Sequence, residues 1–310
     1  MDRQQLATLA LRKTLPVLPI PEDLPTGRVI DLPGRGSTYV VDTGRREGGP
    51  TLLLLHALVT TGMLTWYPAI ARLAETHRVV VLDQRWHGRG IRSERFAFED
   101  CADDAAAVLD VLGIDRAIPV GYSMGGSVAQ LVWHRHHDRV EGLVLGATAR
   151  NFRGRPHERY GLPAISAATR AFAPHLADRV ERHAQSRPEV LPTSAHPAWG
   201  VHELRSTSLW AVPAVIAAIG EFNSAPWIGQ VDVPTAVVVM SKDKAIPARR
   251  QRTLAAAIPG ATVHEVEGGH GSLVLRRSGF VDALEEACAS VVQRSRRVRP
   301  ARRAIRVNAR

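Results

Sequence analysis

The sequence predicts an α/β architecture: a mostly parallel central sheet flanked by helices, with an inserted helical cap. Three observations predict it. Short apolar runs alternate with helical patterns from residue 51 to residue 150. The rhythm breaks over 151–227, where helical patterns, several prolines and Trp199, Trp210 and Trp227 occur without a convincing strand. It resumes at Thr235 and runs to Val292. Strands that alternate with helices in this way form a parallel sheet covered on both faces.

Residues 1–27 hold Pro16, Pro19, Pro21 and Pro25 and read as an extended lead-in. Val29–Leu32 and Thr38–Asp42 read as a hairpin, with Gly34 and Gly36 in the turn. Thr51–His56 is an almost continuous apolar run, as expected of a strand buried on both faces. A short helix is expected at Tyr67–Glu75, a second buried strand at Val79–Leu82 and an amphipathic helix at Asp100–Leu112. Ala117–Val120 is a third strand leading into Gly121, followed by a helix over Ser127–His136 and a strand over Gly142–Leu145. After the interruption come Thr235–Met240 (strand), Ala248–Ala257 (helix), Thr262–Val266 (strand) and Gly279–Val292 (helix). The core is therefore expected over 28–150 and 228–292, the cap over 151–227 and an Arg-rich tail over 293–310. In this position the cap overlies the carboxyl ends of the strands, where open α/β sheets bind ligands.

The formal net charge of +10 suggests nucleic acid until it is located. Arg294 to Arg310 contains eight arginines and no acidic residue, so removing those eight charges leaves +2 for the rest. The basicity belongs to one terminal segment, which argues against a nucleic-acid-binding domain. The tail has no aromatic residues for base stacking; it reads as a solvated terminus whose guanidinium groups would otherwise suit the phosphates or carboxylates of nucleic acid, an anionic lipid surface or an acidic partner. Cys101 and Cys288 are too few for a disulfide framework and suit a reducing compartment, each read as a small buried hydrophobe. No apolar stretch approaches the roughly 20 residues that span a bilayer. In the N-terminal region Arg12 and Lys13 follow the apolar Leu6–Leu11 rather than precede it, the reverse of a secretory signal. A cytoplasmic protein is expected.

The strongest chemical signal is Gly121-Tyr122-Ser123-Met124-Gly125-Gly126, set between a buried strand and a helix. A nucleophile on such a turn has strained backbone angles, and its neighbours two positions away must be small so that strand and helix can approach. Glycines 121 and 125 meet that demand and leave the Ser123 hydroxyl clear of the sheet. A serine needs a base to take its proton. In an elbow of this kind the order along the chain is Ser, acid, His. His270, in Gly268-Gly269-His270-Gly271 after a predicted strand, is the candidate base. Asp243, just beyond the strand Thr235–Met240, is the candidate acid that would fix the imidazole tautomer. Asp232 lies before that strand, on the wrong side of the sheet.

With these residues in place, residues 28–292 resemble the α/β-hydrolase family, in particular the capped bacterial esterases and related lipases, haloperoxidase-like and C–C-bond hydrolases. His56-Ala57-Leu58, with Gly62 and Trp66 downstream, resembles the family's His-Gly-x oxyanion segment. The resemblance implies an oxyanion hole made by the backbone N–H groups of Leu58 and Met124. Asp83-Gln84-Arg85-Trp86-His87-Gly88-Arg89-Gly90 resembles the family's Asp-x-Arg-Gly-x-Gly-x-Ser loop, whose role is structural. Ala57 and Trp86 replace glycines of these patterns, and Met240 or Ser241 stands where a glycine often precedes the acid. Ala57 is expected to narrow the oxyanion turn and Trp86 to crowd the pocket. A serine at the elbow argues against epoxide hydrolases and haloalkane dehalogenases, which use an aspartate there.

The reading that follows is hydrolysis of a carboxylic ester through an acyl-enzyme, with no cofactor. The expected substrate is a small molecule with an apolar acyl or aromatic part, since the cap is rich in Leu, Ala, Val and Trp. The same triad would serve a lactonase, thioesterase, C–C hydrolase or lyase, and a non-catalytic ligand-binding relative is the alternative from another class. Trp133-His134-Arg135-His136-His137 lacks the cysteine or carboxylate partners of a metal site and is read as cationic side chains at a helix C-terminus, so no metal is expected.

Overall fold

The computed structural model describes residues 21–307, apart from 22, 47–48, 153–155, 187–193, 195, 197 and 276–278. Most of the lead-in expected at 1–27, and the last three residues of the tail, therefore lie outside the described residues.

Eight strands form one sheet in the order β1-β2-β4-β3-β5-β6-β7-β8. They are β1 (Arg28–Leu32), β2 (Gly36–Asp42), β3 (Thr51–Leu55), β4 (Arg78–Leu82), β5 (Ile118–Tyr122), β6 (Leu143–Gly146), β7 (Thr235–Met240) and β8 (Thr262–Val266). The β1–β2 and β2–β4 pairs are antiparallel and all the others parallel. Because β3 to β7 are covered on both faces, they carry apolar residues at successive positions, and the period of two sends them to opposite sides. Leu53, Leu55, Val80, Leu82, Leu143, Leu145, Val237 and Val239 join one core cluster. Leu52, Leu54, Val79, Val81, Val144, Val238 and Met240 join the other. Cys101 and Cys288 are buried, free and divided between the two clusters.

The helices that follow the strands are α1 (Gly62–Trp66), α2 (Ile70–Ala74), α3 (Phe98–Val111) and α4 (Met124–Arg135). The helix expected at Tyr67–Glu75 is the shorter α2, and α1 before it was not expected; Pro68, which has no N–H to continue α1, lies between the two. Between β6 and β7 lie α5 (Pro156–Ala171), α6 (Ala173–Gln185), α7 (Trp199–Ser206) and α8 (Val212–Glu221). Then come α9 (Ala248–Ala257) and α10 (Phe280–Val307). The last helix runs past Val292 into the basic segment, where arginine and alanine are good helix formers. No described helix is long and apolar enough to cross a membrane.

The histidine cluster at the end of α4 has partners of its own. His134 stacks on Trp227 with ring centroids 4.2 Å apart, and His136 Nε2 lies 2.8 Å from Asp103 Oδ1.

One buried ion cluster joins the β1–β2 turn, the loop after β4 and α3. Asp104 accepts Arg85 Nε and Nη2, each at 2.9 Å, and Arg35 Nε at 2.6 Å. Asp104 is 2% exposed. Its removal leaves two guanidinium groups without their carboxylate, and Asp104→Ala is expected to cost about 3–5 kcal/mol. Urea unfolding checks this, and a loss below about 1 kcal/mol would show the cluster to be incidental.

Candidate active site

Ser123 connects β5 to α4 with φ 55° and ψ −115°. A residue with a Cβ rarely adopts such angles, so the surroundings must impose them. Its N–H donates to the Gly146 carbonyl at 2.9 Å, and its carbonyl accepts from the Gly126 N–H at 3.0 Å. A Cβ on Gly121 would stand 2.2 Å from the Gly125 carbonyl oxygen, and one on Gly125 would stand 2.1 Å from the Leu55 carbonyl oxygen. Both obstacles are backbone atoms, which cannot move aside without moving the sheet. Hydrogen in place of a side chain is what lets β5, α4 and β3 meet at this point.

The loop after β7 carries Asp243 and the loop after β8 carries His270. His270 Nε2 lies 2.8 Å from Ser123 Oγ, and His270 Nδ1 lies 2.7 Å from Asp243 Oδ2. A carboxylate oxygen accepts, so the proton sits on Nδ1 and Nε2 is free to accept from the serine hydroxyl. The Asp243 side chain is fully buried. Its Oδ1 accepts the N–H groups of Ala245 and Ile246, both at 2.8 Å, and its Oδ2 also accepts Gln251 Nε2 at 3.2 Å. Donors on both oxygens prevent rotation of the carboxylate.

Two further residues hold this arrangement, and neither stood out in the sequence. Gln251 on α9 accepts the Met240 N–H at 2.9 Å and donates to the Ile246 carbonyl at 2.7 Å, tying the end of β7 to the Asp243 turn. Nothing local marks a glutamine on a helix for that task. Tyr122 donates its hydroxyl to the His270 carbonyl at 2.7 Å, and burial with the nearby Asp243 pushes the phenol up from its ordinary pKa. Its adjacency to Ser123 was the only available clue.

Met124 opens α4 beside Ser123, and Leu58 lies in the loop after β3. A Cβ on Gly125 would also meet the His56 carbonyl oxygen at 2.8 Å, so the elbow packs directly on the strand end that leads to Leu58. Among the described residues, neither the Leu58 nor the Met124 amide donates to an intramolecular acceptor. The left-handed residue of the loop is Val59, with φ 68°. Ala57 has no positive φ, so nothing in the backbone there demands glycine.

The loop is braced from behind by buried histidines. His56 donates from Nδ1 to the Ala57 carbonyl at 2.8 Å and accepts the Gln84 N–H at Nε2 at 2.8 Å. The His87 ring meets it edge-on, with centroids 5.1 Å apart. Burial lowers the pKa of His56 to about 4 and that of His87 to about 3, the second with help from His56.

The helical insertion is tied to the same loops. Glu203 of α7, 2% exposed, accepts the Thr61 hydroxyl and, at 3.2 Å, Arg89 Nη2. Asp83 accepts the Gly62 N–H at 2.8 Å and the Arg89 N–H at 2.9 Å, and Thr207 accepts the Gly88 N–H at 3.0 Å. Trp86 has φ 66°, which accounts for the glycine it replaces. Rather than standing free in a pocket, its indole is buried among Leu176, Val180, Ala211 and Ala214 of the insertion, and its N–H reaches Ser93.

A strand–serine–helix elbow with acid and histidine on the next strand ends defines a class of protein. The model of the α/β-hydrolase fold family matches residues 50–276, and the chain belongs to that family. It is 27% identical over 242 residues to the magnesium-chelatase 30 kDa subunit of Rhodobacter capsulatus, covering 75% of this chain and 84% of that protein. In structure it is similar to a hydrolase from Pseudomonas aeruginosa (TM-score 0.66, 23% identity, 86% of this chain and 98% of that one). It is also similar to an esterase from Exiguobacterium antarcticum (TM-score 0.65, 22% identity, 86% of this chain and all of that one).

The buried histidines have a consequence for acid stability. Both are neutral in the fold, and their folded pKa values lie below the unfolded value of about 6.5. As pH falls through that value the unfolded chain takes up protons that the folded chain refuses. Stability is therefore full above about pH 6.5 and declines toward about pH 4, by up to about 1.4 kcal/mol per pH unit for each histidine. Urea unfolding from pH 7 to pH 4 is expected to show this slope, and His87→Phe to reduce it by roughly half of the histidine contribution. An unchanged slope in the variant would count against the assignment.

Proposed function

We propose that the protein is a serine hydrolase that cleaves a carboxylic ester through an acyl-enzyme. The observation that carries the proposal is the continuous chain from Ser123 Oγ to His270 at 2.8 Å and from His270 to Asp243 at 2.7 Å. In this mechanism His270 Nε2 removes the hydroxyl proton as Ser123 attacks the carbonyl carbon. Asp243 stabilises the imidazolium and holds its orientation. The developing oxyanion takes the Leu58 and Met124 amides, each worth about 3–4 kcal/mol in the transition state. His270 then delivers its proton to the departing alkoxide, and the same base activates the water that releases the acid.

Unused amide donors at Leu58 and Met124 support the oxyanion assignment, because a donor without an internal acceptor beside the nucleophile is available to substrate. The proposed substrate is a small ester with an apolar acyl or aromatic part. Its support is the apolar character of the insertion, whose Leu176 and Val180 pack on Trp86 beside Gly88 and whose Trp199 meets Tyr67 edge-on. These side chains and water suffice for the chemistry, so no cofactor enters the proposal.

A p-nitrophenyl ester series of rising chain length, with wild type beside Ser123→Ala, tests it. Turnover is expected in the wild type and a loss of about 10⁴-fold or more in the variant. Folded wild type that neither turns over these esters nor is labelled by a fluorophosphonate would sink the reading. Gln251→Leu loosens Asp243 without touching substrate. It is expected to lower kcat by about tenfold to a hundredfold with KM little changed. A change confined to KM would remove Gln251 from the positioning role.

A further inference from the structure

The opposite edge of the sheet has a surface that ester hydrolysis does not use. A cavity of about 530 Å³ opens at the amino ends of β3, β4, β5 and β6. Five arginines line it: Arg45, Arg46, Arg78, Arg116 and Arg296, against the acids Asp115 and Glu141. Arg78 is held by a two-pronged contact with Asp42 at 2.7 and 3.0 Å, and Arg116 by the Asp138 carbonyl at 2.8 Å. Arg45 and Arg46 are exposed at the rim. Anchored guanidinium groups at Arg78 and Arg116 beside exposed ones at Arg45 and Arg46 suit tetrahedral phosphate oxygens, which arginine grips through paired N–H donors.

Helix α10 forms one wall of this cavity through Val292, Ser295 and Arg296. From there the chain continues into its most basic stretch, eight arginines between Arg294 and Arg310 without an acid. Arg294 is occupied within the fold, donating to the Thr235 and Gly260 carbonyls at 2.8 Å. Counted over the sequence, the eight arginines of this stretch carry most of the formal net charge of +10. Val298, Ala301 and Ile305 recur among them at i, i+3 and i+7. A basic helical stretch with apolar residues at that spacing matches the chemistry of a lipid interface, where apolar residues enter the headgroup layer and cations meet phosphates. It lacks the aromatic residues that stack on nucleic-acid bases.

We propose that the amino edge of the sheet docks on an anionic phospholipid bilayer, with headgroup phosphates entering the arginine cavity and the basic end of α10 lying against the surface. Ser123, Asp243 and His270 stand at the carboxyl ends of the strands. Docking in this way leaves them facing away from the lipid and open to water-borne substrate. The proposal does not depend on the ester-hydrolase reading.

The full chain is sedimented at low salt with vesicles of phosphatidylglycerol and phosphatidylcholine, and with vesicles of phosphatidylcholine alone. Binding is expected only to the anionic vesicles, and it should be abolished by high salt. Arg45→Glu combined with Arg46→Glu is expected to weaken binding about tenfold or more, as is Arg302→Glu combined with Arg303→Glu. Far-UV circular dichroism and the urea-unfolding midpoint should be unchanged in both, which reports that each variant is folded independently of any hydrolase activity. Absence of binding at low salt overturns the proposal, as does tighter binding to a short RNA than to the vesicles. Loss in the α10 variant alone overturns the role of the cavity. Competition by inorganic phosphate without vesicle binding would assign the cavity to a soluble phosphorylated ligand instead.

Discussion

The close approach of three backbone segments at Ser123 is the constraint on which the site depends. The Gly121 α-carbon faces the Gly125 carbonyl, and the Gly125 α-carbon faces the Leu55 carbonyl, each with no room for a methyl group. That contact forces Ser123 to φ 55° and sets Met124 at the first turn of α4. It also brings the end of β3, and hence Leu58, against the same turn. The strain is affordable because the sheet on either side is rigid: β3, β5, β6 and β7 are buried on both faces and fill two dense cores.

The neighbouring strands deliver the remaining groups in register. β7 ends at Met240 and β8 at Val266, and their parallel pairing aligns the two following loops on one side of the sheet. Asp243 is locked by donors on both oxygens, and His270 is pinned at its ring by Asp243 and at its carbonyl by Tyr122. A buried polar group with every partner in place is rigid as well as satisfied. Gln251 extends that rigidity to α9, so the acid is positioned by a strand, a turn and a helix together.

The insertion is fixed by a different device. Glu203 reaches from α7 into the space between Thr61 and Arg89, with Asp83 satisfying the backbone of both loops. Trp86 adds an apolar contact from the same loop to α6 and the Ala211–Ala214 segment. The loop that carries Leu58 is thus held on one side by buried neutral histidines and on the other by a buried carboxylate. Breaking one partner of such a cluster leaves a buried charge unpaired, which is why these groups act as a unit.

Much of this was legible in the chain. A strand buried on both faces announces itself as a continuous apolar run, and glycines two positions either side of a serine announce a turn that no other residue tolerates. Ser123, Asp243 and His270 could be singled out because each follows such a run, and their union within hydrogen-bonding distance is a matter of three-dimensional register. Local pattern could not reach Gln251 or Glu203, because each acts on residues distant in sequence and looks like an ordinary helix residue. Nor could it tell that Trp86 turns toward the insertion, or that Val59 rather than Ala57 takes the left-handed backbone. The sequence by itself determined the alternation of strands and helices, since burial and backbone sterics act over a few residues. Only the tertiary structure decided which side chains brace the site, because those contacts exist only once distant segments share one buried space.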